Sequence, residues 1–134
     1  MFFFFQDPDL SALQTPEMKA FTAALDEVRR QYPAMPVGML YTLLTAANVS
    51  SSDEMRGVDL RDLSQTLALP YSTVARHSDA LGHGVAKRGG LGLIEKDVIP
   101  GQKKHKALKI SPAGKALLSA IHLAMRVEMR NPAH

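Results

Sequence analysis

Residues 59–81, DLRDLSQTLALPYSTVARHSDAL, leave the chain few ways to fold. Leu60, Leu63 and Leu67 recur at helical spacing, so one face of a short helix is apolar. Asp59 stands where a side-chain oxygen accepts from the free N–H groups of a first turn, and Asp62 can answer it as a loose capping box. Pro70 pushes the residue before it out of the helical region, so the helix must stop around 68–70. A second helix opens at about Tyr71 and carries Val74 and Leu81 inward, leaving Ser72, Arg76 and Asp79 on other faces. Spacing from Val74 puts His77 and Ser78 near that inward side, where a buried, hydrogen-bonded pair is expected. Two short helices meeting through a tight turn form a helix-turn-helix. Similar pairs occur in many all-helical cores, so the segment after the motif decides its role.

Charge changes there. The net charge of +3 is unevenly spread. The first 57 residues hold four basic and seven acidic side chains and stand at −3, so the remainder carries +6. Residues 76–115 account for that whole excess, with Arg76, Lys87, Arg88, Lys96, Lys103, Lys104, Lys106, Lys109 and Lys115 against Asp79, Glu95 and Asp97. A basic segment of this kind suits a polyanion met on one side.

The basic segment also has a shape. After Leu81 comes GHGVAKRGGLG, a turn-rich connector with Lys87 and Arg88 at its tip. A phosphate-binding loop would need Gly-Lys-Ser/Thr opening a helix, and that is absent. Residues 91–99 and 104–110 then read as two strands joined at Pro100-Gly101-Gln102-Lys103, where Pro followed by Gly suits a type II turn. Ile94, Val98, Leu108 and Ile110 alternate inward near the base, and Lys103, Lys104, His105 and Lys106 take over at the tip. A hairpin anchored at its base and cationic at its tip is a wing.

The ends of the chain carry helices of another kind. Thr15-Pro16-Glu17 is a helix start, with a capping hydroxyl, a proline at the first position and an acid in the first turn. Met18, Phe21, Leu25, Val28 and Tyr32 succeed it in a seam too narrow for an ordinary core face, fitting contact with a partner helix or with the chain's own last helix. Pro36 starts another helix, with Val37, Leu40, Tyr41 and Leu44 expected inward and a polar loop after it. Residues 56–58 suit a brief strand. The last helix, from about Pro112 to Met129, spreads Leu117, Leu118, Ile121, Ala124, Met125, Val127 and Met129 over more than one face, enough for its own domain and a second subunit. Phe2 to Phe5 hold four of the five phenylalanines, and such a run is expected to pack as a terminal arm on the domain or on another subunit.

In order, these parts resemble the MarR family of winged-helix transcriptional regulators, over roughly residues 36–118. The matches are Leu63-Ser64-Gln65-Thr66-Leu67-Ala68-Leu69, then Tyr71-Ser72-Thr73-Val74-Ala75-Arg76 with Leu81, and Leu108-Lys109-Ile110-Ser111-Pro112-Ala113-Gly114 running on to Leu118. The last corresponds to the family's strand-to-helix signature, Leu-Thr-x-x-Gly. The resemblance implies a mainly α fold with a small β-hairpin: a winged helix-turn-helix at 36–110, flanked by dimerisation helices at 1–32 and 111–134, in a single domain.

It also implies a homodimer on double-stranded DNA. The helix at 71–81 would lie in the major groove, with Tyr71, Ser72, Thr73 and Arg76 toward bases and phosphates. Arg76 is the candidate for a bidentate guanine contact, unless it pairs with Asp79 along its own helix. Tyr71 reaches a phosphate or a thymine methyl, or else caps the edge of the core. Lys87, Arg88, Lys103, Lys104 and Lys106 would hold the backbone, and Phe3, Phe4, Phe21, Leu25, Val28, Ile121 and Met125 the dimer.

Three departures stand out. Gln102 and Lys104 occupy the places of the family's wing Asp-x-Arg, and lysine lacks arginine's planar fork, so minor-groove insertion is expected to be weaker or blind to sequence. The connector is several residues longer than usual. One C-terminal helix stands where the family commonly has two, so the dimer is expected to use the Phe arm, the first helix and that single helix.

Other classes find little support. No nucleophile–base pair, carboxylate dyad or HExxH-type site is visible, and the histidines at 77, 83, 105, 122 and 134 lack metal-cluster spacing, so neither an enzyme nor a cofactor or metal is expected. No cysteine is present, which suits a reducing, cytoplasmic setting, and no apolar run approaches the ~20 residues of a membrane helix. A winged helix serving replication, partition or phage maintenance would use the same parts, as would a protein-interaction module. A small-molecule effector is open: Met35, Met39 and Tyr41 could line a pocket or simply fill the core.

Overall fold

A computed structural model describes residues 9–50, 57–85, 88–99 and 102–130, with backbone alone at 85, 88, 97–99 and 102–106. The expectations for Phe3, Phe4 and Lys87 therefore lie outside the described residues, as do those for the side chains of Arg88, Lys103, Lys104 and Lys106. The order of elements is α1 (Leu10–Leu13), α2 (Pro16–Gln31), α3 (Val37–Val49), β1 (Val58–Asp59), α4 (Leu60–Leu67), α5 (Tyr71–Leu81), β2 (Gly84–Val85), β3 (Arg88–Gly89), β4 (Ile94–Ile99), β5 (Gln102–Ile110) and α6 (Pro112–Arg130). They fall into two compact units, one from residues up to Pro33 with those from Leu117 onward, the other from Ala34 to Ala116.

In the first unit, Thr15 caps α2 as its sequence requires, accepting from the Met18 amide at 3.2 Å. The face it buries is Ala20, Ala24 and Val28. Of the expected seam only Val28 is inside; Met18, Phe21 and Leu25 stay exposed. The large side chains set the sequence expectation, but the small ones permit close approach. On α6, Leu117 and Ile121 are buried while Leu123, Val127 and Met129 are exposed. Val28 and Ile121, both named for the dimer, are buried within this unit.

The second unit is built on α3, α4 and α5. Leu60, Leu63 and Leu67 of α4 and Val74 and Leu81 of α5 are buried as their spacing predicts. The α3 face is a correction: Leu40, Thr42, Leu43 and Ala46 point in, while Val37 is 78% exposed and Tyr41 53%. The helix VGMLYTLLTAANV is apolar nearly all round, so its pattern does not single out a face.

Between α4 and α5 the turn is made at Ala68, which takes the left-handed conformation (φ 55°). Its amide and that of Leu69 bond back to Gln65 and Ser64 carbonyls, and Ser64 Oγ donates to the Leu69 carbonyl at 2.6 Å. These bonds satisfy the helix end. They offset a conformation that disfavours a side chain by roughly 1–2 kcal/mol.

The sheet runs β1-β5-β4, antiparallel throughout. Val58 and Asp59 pair with Leu108 and Ala107, which ties the start of α4 to the wing. The register of β4 on β5 jumps between Val98 and Ile99, so the wing bends short of its tip. One further expectation changes here. The wing's first strand begins at Ile94 rather than Leu91, because the amides of Leu91, Gly92 and Leu93 bond to carbonyls of Ala80, Gly82 and Leu81 at the end of α5. The turn-rich glycine connector gains strand pairing that its sequence does not announce, a small hairpin with Gly84 opposite Gly89 and Val85 opposite Arg88.

Candidate nucleic-acid interface

The interface is assembled from α4, α5 and the sheet. Asp59 caps α4 through the Arg61 amide at 2.8 Å, and burial of Leu60, Leu63 and Leu67 leaves Arg61 and Gln65 on the helix's polar side. Pro70 precedes α5 and offers no side-chain cap; its carbonyl accepts from the Thr73 and Val74 amides, so the Tyr71 and Ser72 amides are the ones placed for an outside acceptor such as a phosphate. Ser72 and Arg76 are exposed and Thr73 half-exposed on the same helix. Tyr71 is 43% exposed and lines an open groove of about 490 Å³ with Arg61, Ser64 and Gln65. Arg61 and Gln65 of this groove were not singled out in the sequence; their spacing opposite the three leucines is the signal that marks them as the exposed face of α4.

Arg76 had a competing use, an ion pair with Asp79. Asp79 instead binds Lys96 Nζ of β4 through its Oδ1. Lys96 is thereby committed within the protein, and the Arg76 guanidinium stays on the surface with no ion pair among the described residues. The backbones of β3 and β5 carry Arg88, Lys103, Lys104 and Lys106.

His77 and Ser78 face inward as expected. Ser78 is fully buried and donates to the Ala75 carbonyl at 2.8 Å. His77 is half-buried, with Nδ1 2.9 Å from Thr42 Oγ1 of α3. Its pKa lies below the ordinary histidine value because burial penalises the charged ring, and the neighbouring Arg76 guanidinium adds to this. The unfolded chain therefore protonates at higher pH than the folded one. The stability contributed by the neutral ring is complete above the unfolded pKa of about 6.5 and is lost as pH falls through the folded value. Between about pH 7 and pH 5, unfolding midpoints are expected to drop more steeply for the wild type than for His77→Asn. Parallel pH curves would remove His77 as the cause.

Among the described residues no helix is long and apolar enough to cross a membrane. No protein-family model matches the chain, nor does any curated protein. Solved structures do. RV1404 of Mycobacterium tuberculosis matches at a TM-score of 0.69 with 15% identity, over 94% of this chain and 80% of that one. A MarR-family transcriptional regulator of Rhodococcus sp. RHA1 matches at 0.56 with 17% identity, over 90% and 72%. CouR of Rhodococcus jostii RHA1, solved with p-coumaroyl-CoA bound, matches at 0.55 with 17% identity, over 89% and 71%. With its helix-turn-helix and antiparallel wing, and on these structural likenesses, the chain has the MarR-type winged-helix fold.

Proposed function

We propose that the protein is a sequence-specific, double-stranded DNA-binding transcriptional regulator, acting as a homodimer and repressing its target. The observation that carries this reading is the exposed N-terminal half of α5, with Arg76 left uncommitted because Asp79 is taken by Lys96. In this reading α5 enters the major groove, Ser72, Thr73 and Arg76 address base edges, and Tyr71 and Gln65 sit against the phosphates. Lys87, Arg88, Lys103, Lys104 and Lys106 supply the sequence-independent attraction. The dimer uses the apolar surface that α2 and α6 leave exposed, Met18, Phe21, Leu25, Leu123 and Val127, together with Phe3, Phe4 and the half-buried Met125. The acyl-CoA bound to CouR supports a small-molecule effector for this chain as well.

The test is selection of duplexes from a random-sequence library, then affinity for the selected site and for random DNA. Arg76→Ala is expected to cost about 1–3 kcal/mol on the selected site and little on random duplex. Lys104→Ala is expected to weaken both alike. Equal losses on both for Arg76→Ala would sink the assignment of Arg76 to base reading, and a library that yields no preferred site would sink the regulator.

A further inference from the structure

The contact between α3 and α5 contains a directional lock that neither the helix-turn-helix nor the wing requires. Thr42 is fully buried, and its hydroxyl donates to the Gly38 carbonyl one turn back at 2.9 Å. A hydroxyl has one proton. With that proton on Gly38, the arrangement that satisfies both 2.9 Å contacts has His77 Nδ1–H donating to a Thr42 Oγ1 lone pair. That arrangement corresponds to the Nδ1–H tautomer of the neutral ring. The far edge of the ring lies over Gly38, where a Cβ would stand 3.3 Å from Cε1 and 3.6 Å from Nε2. Glycine is unfavourable inside a helix, and here its missing side chain is the space the ring edge uses.

Resting on the DNA-reading role proposed above, we infer that His77 is a positioning residue for sequence readout: bonded to Thr42 and seated on Gly38, it sets the roll of α5 and so the aim of Arg76. The apolar contacts of Val74 and Leu81 hold α5 against the core, but such contacts have no direction. A hydrogen bond does. A roll of about 10° moves a group at a helix's outer radius of about 6 Å by about 1 Å. Sites that depend on placed hydrogen bonds tolerate only about half of that. His77 comes directly after Arg76 in sequence and stands one turn after Thr73, so an error in its seat passes directly to both.

The experiment compares His77→Phe, His77→Asn and Thr42→Val with the wild type, on the duplex that wild-type protein selects from a random library and on random duplex. Phenylalanine keeps a ring but has no donor. Asparagine places an amide N–H near where Nδ1–H was. Valine keeps the shape of threonine without the hydroxyl, and serves where His77→Phe fails to fold. About tenfold loss in the ratio of selected-site to random affinity is expected for His77→Phe and Thr42→Val, with random-duplex affinity kept and the ratio retained by His77→Asn. Ring ¹⁵N shifts of His77 should show the Nδ1–H tautomer in the wild type and lose it in Thr42→Val. The inference is overturned if the variants keep the ratio, if both affinities fall together, if His77→Asn falls with His77→Phe, or if wild-type His77 carries its proton on Nε2. A wild type that selects no duplex overturns the DNA-reading role, and this inference with it.

Discussion

Raising salt from about 50 to about 200 mM is expected to weaken duplex binding about 500-fold per subunit. The number comes from counting cations. Lys87, Arg88, Lys103, Lys104 and Lys106 are five groups assigned to phosphates in the proposed complex, and each displaces condensed counterions from the duplex. Five such contacts give a log–log slope near −4.5 per subunit. Lys96 is left out of the count because it is bound to Asp79, and Arg76 because it is assigned to a base. Fluorescence anisotropy on a labelled duplex at several salt concentrations measures the slope directly. Lys104→Ala should flatten it by about 0.9. A slope shallower than about −2 would mean that the wing and the connector do not hold the backbone.

Gly114→Ala is expected to destabilise the protein by about 3 kcal/mol, at the upper end of what overpacking costs. Gly114 lies in the first turn of α6, where Ser111 makes the joint with the wing. The Ser111 amide bonds to the Leu93 carbonyl at 3.0 Å, its Oγ donates to the Gly92 carbonyl at 2.6 Å, and the Gly114 amide donates back to that Oγ at 3.0 Å. These bonds draw α6 so close to the strand start that a Cβ on Gly114 would sit on the Leu93 carbonyl oxygen and 2.8 Å from Ile110 Cγ2. One obstacle is backbone, so no rotamer change relieves it. Thermal unfolding should show a midpoint lower by roughly 10 °C. A shift under about 2 °C would show that the joint can open without loss. The glycine of the strand-to-helix signature thus has a physical reason in this chain.

What the sequence made legible was whatever is written locally. Thr15 and Asp59 cap because their side chains reach amides two or three residues on, and the leucines of α4 are spaced by the helix itself. What it hid depends on distant partners or on backbone alone. The inward face of α3 is chosen by α4 and α5 among several apolar candidates, so Val37 and Tyr41 were misassigned where Thr42 and Leu43 are buried. Ala68 carries no mark of its left-handed φ, which bonds to Gln65 and Ser64 carbonyls hold in place. The β2–β3 hairpin has two-residue strands and no alternation to read, and the segment after it is set by bonds to the end of α5. At the candidate interface, Arg76 could be named but not freed. Asp79 has a basic neighbour three residues back and another seventeen residues on, and only the folded sheet decides for Lys96.

That ion pair also bears on speed. A recognition helix and a wing that docked independently would each have to be captured in turn, and each would give up its own freedom on the duplex. Bound through Asp79 and Lys96, with β5 also stitched to the strand that leads into α4, the two would reach DNA in the proposed complex as one unit. An encounter that seats the wing on a phosphate already has α5 within reach of the groove. Under the proposed function, searching would then be a matter of sliding along the backbone and testing bases at each step, rather than reassembling the reader at every site.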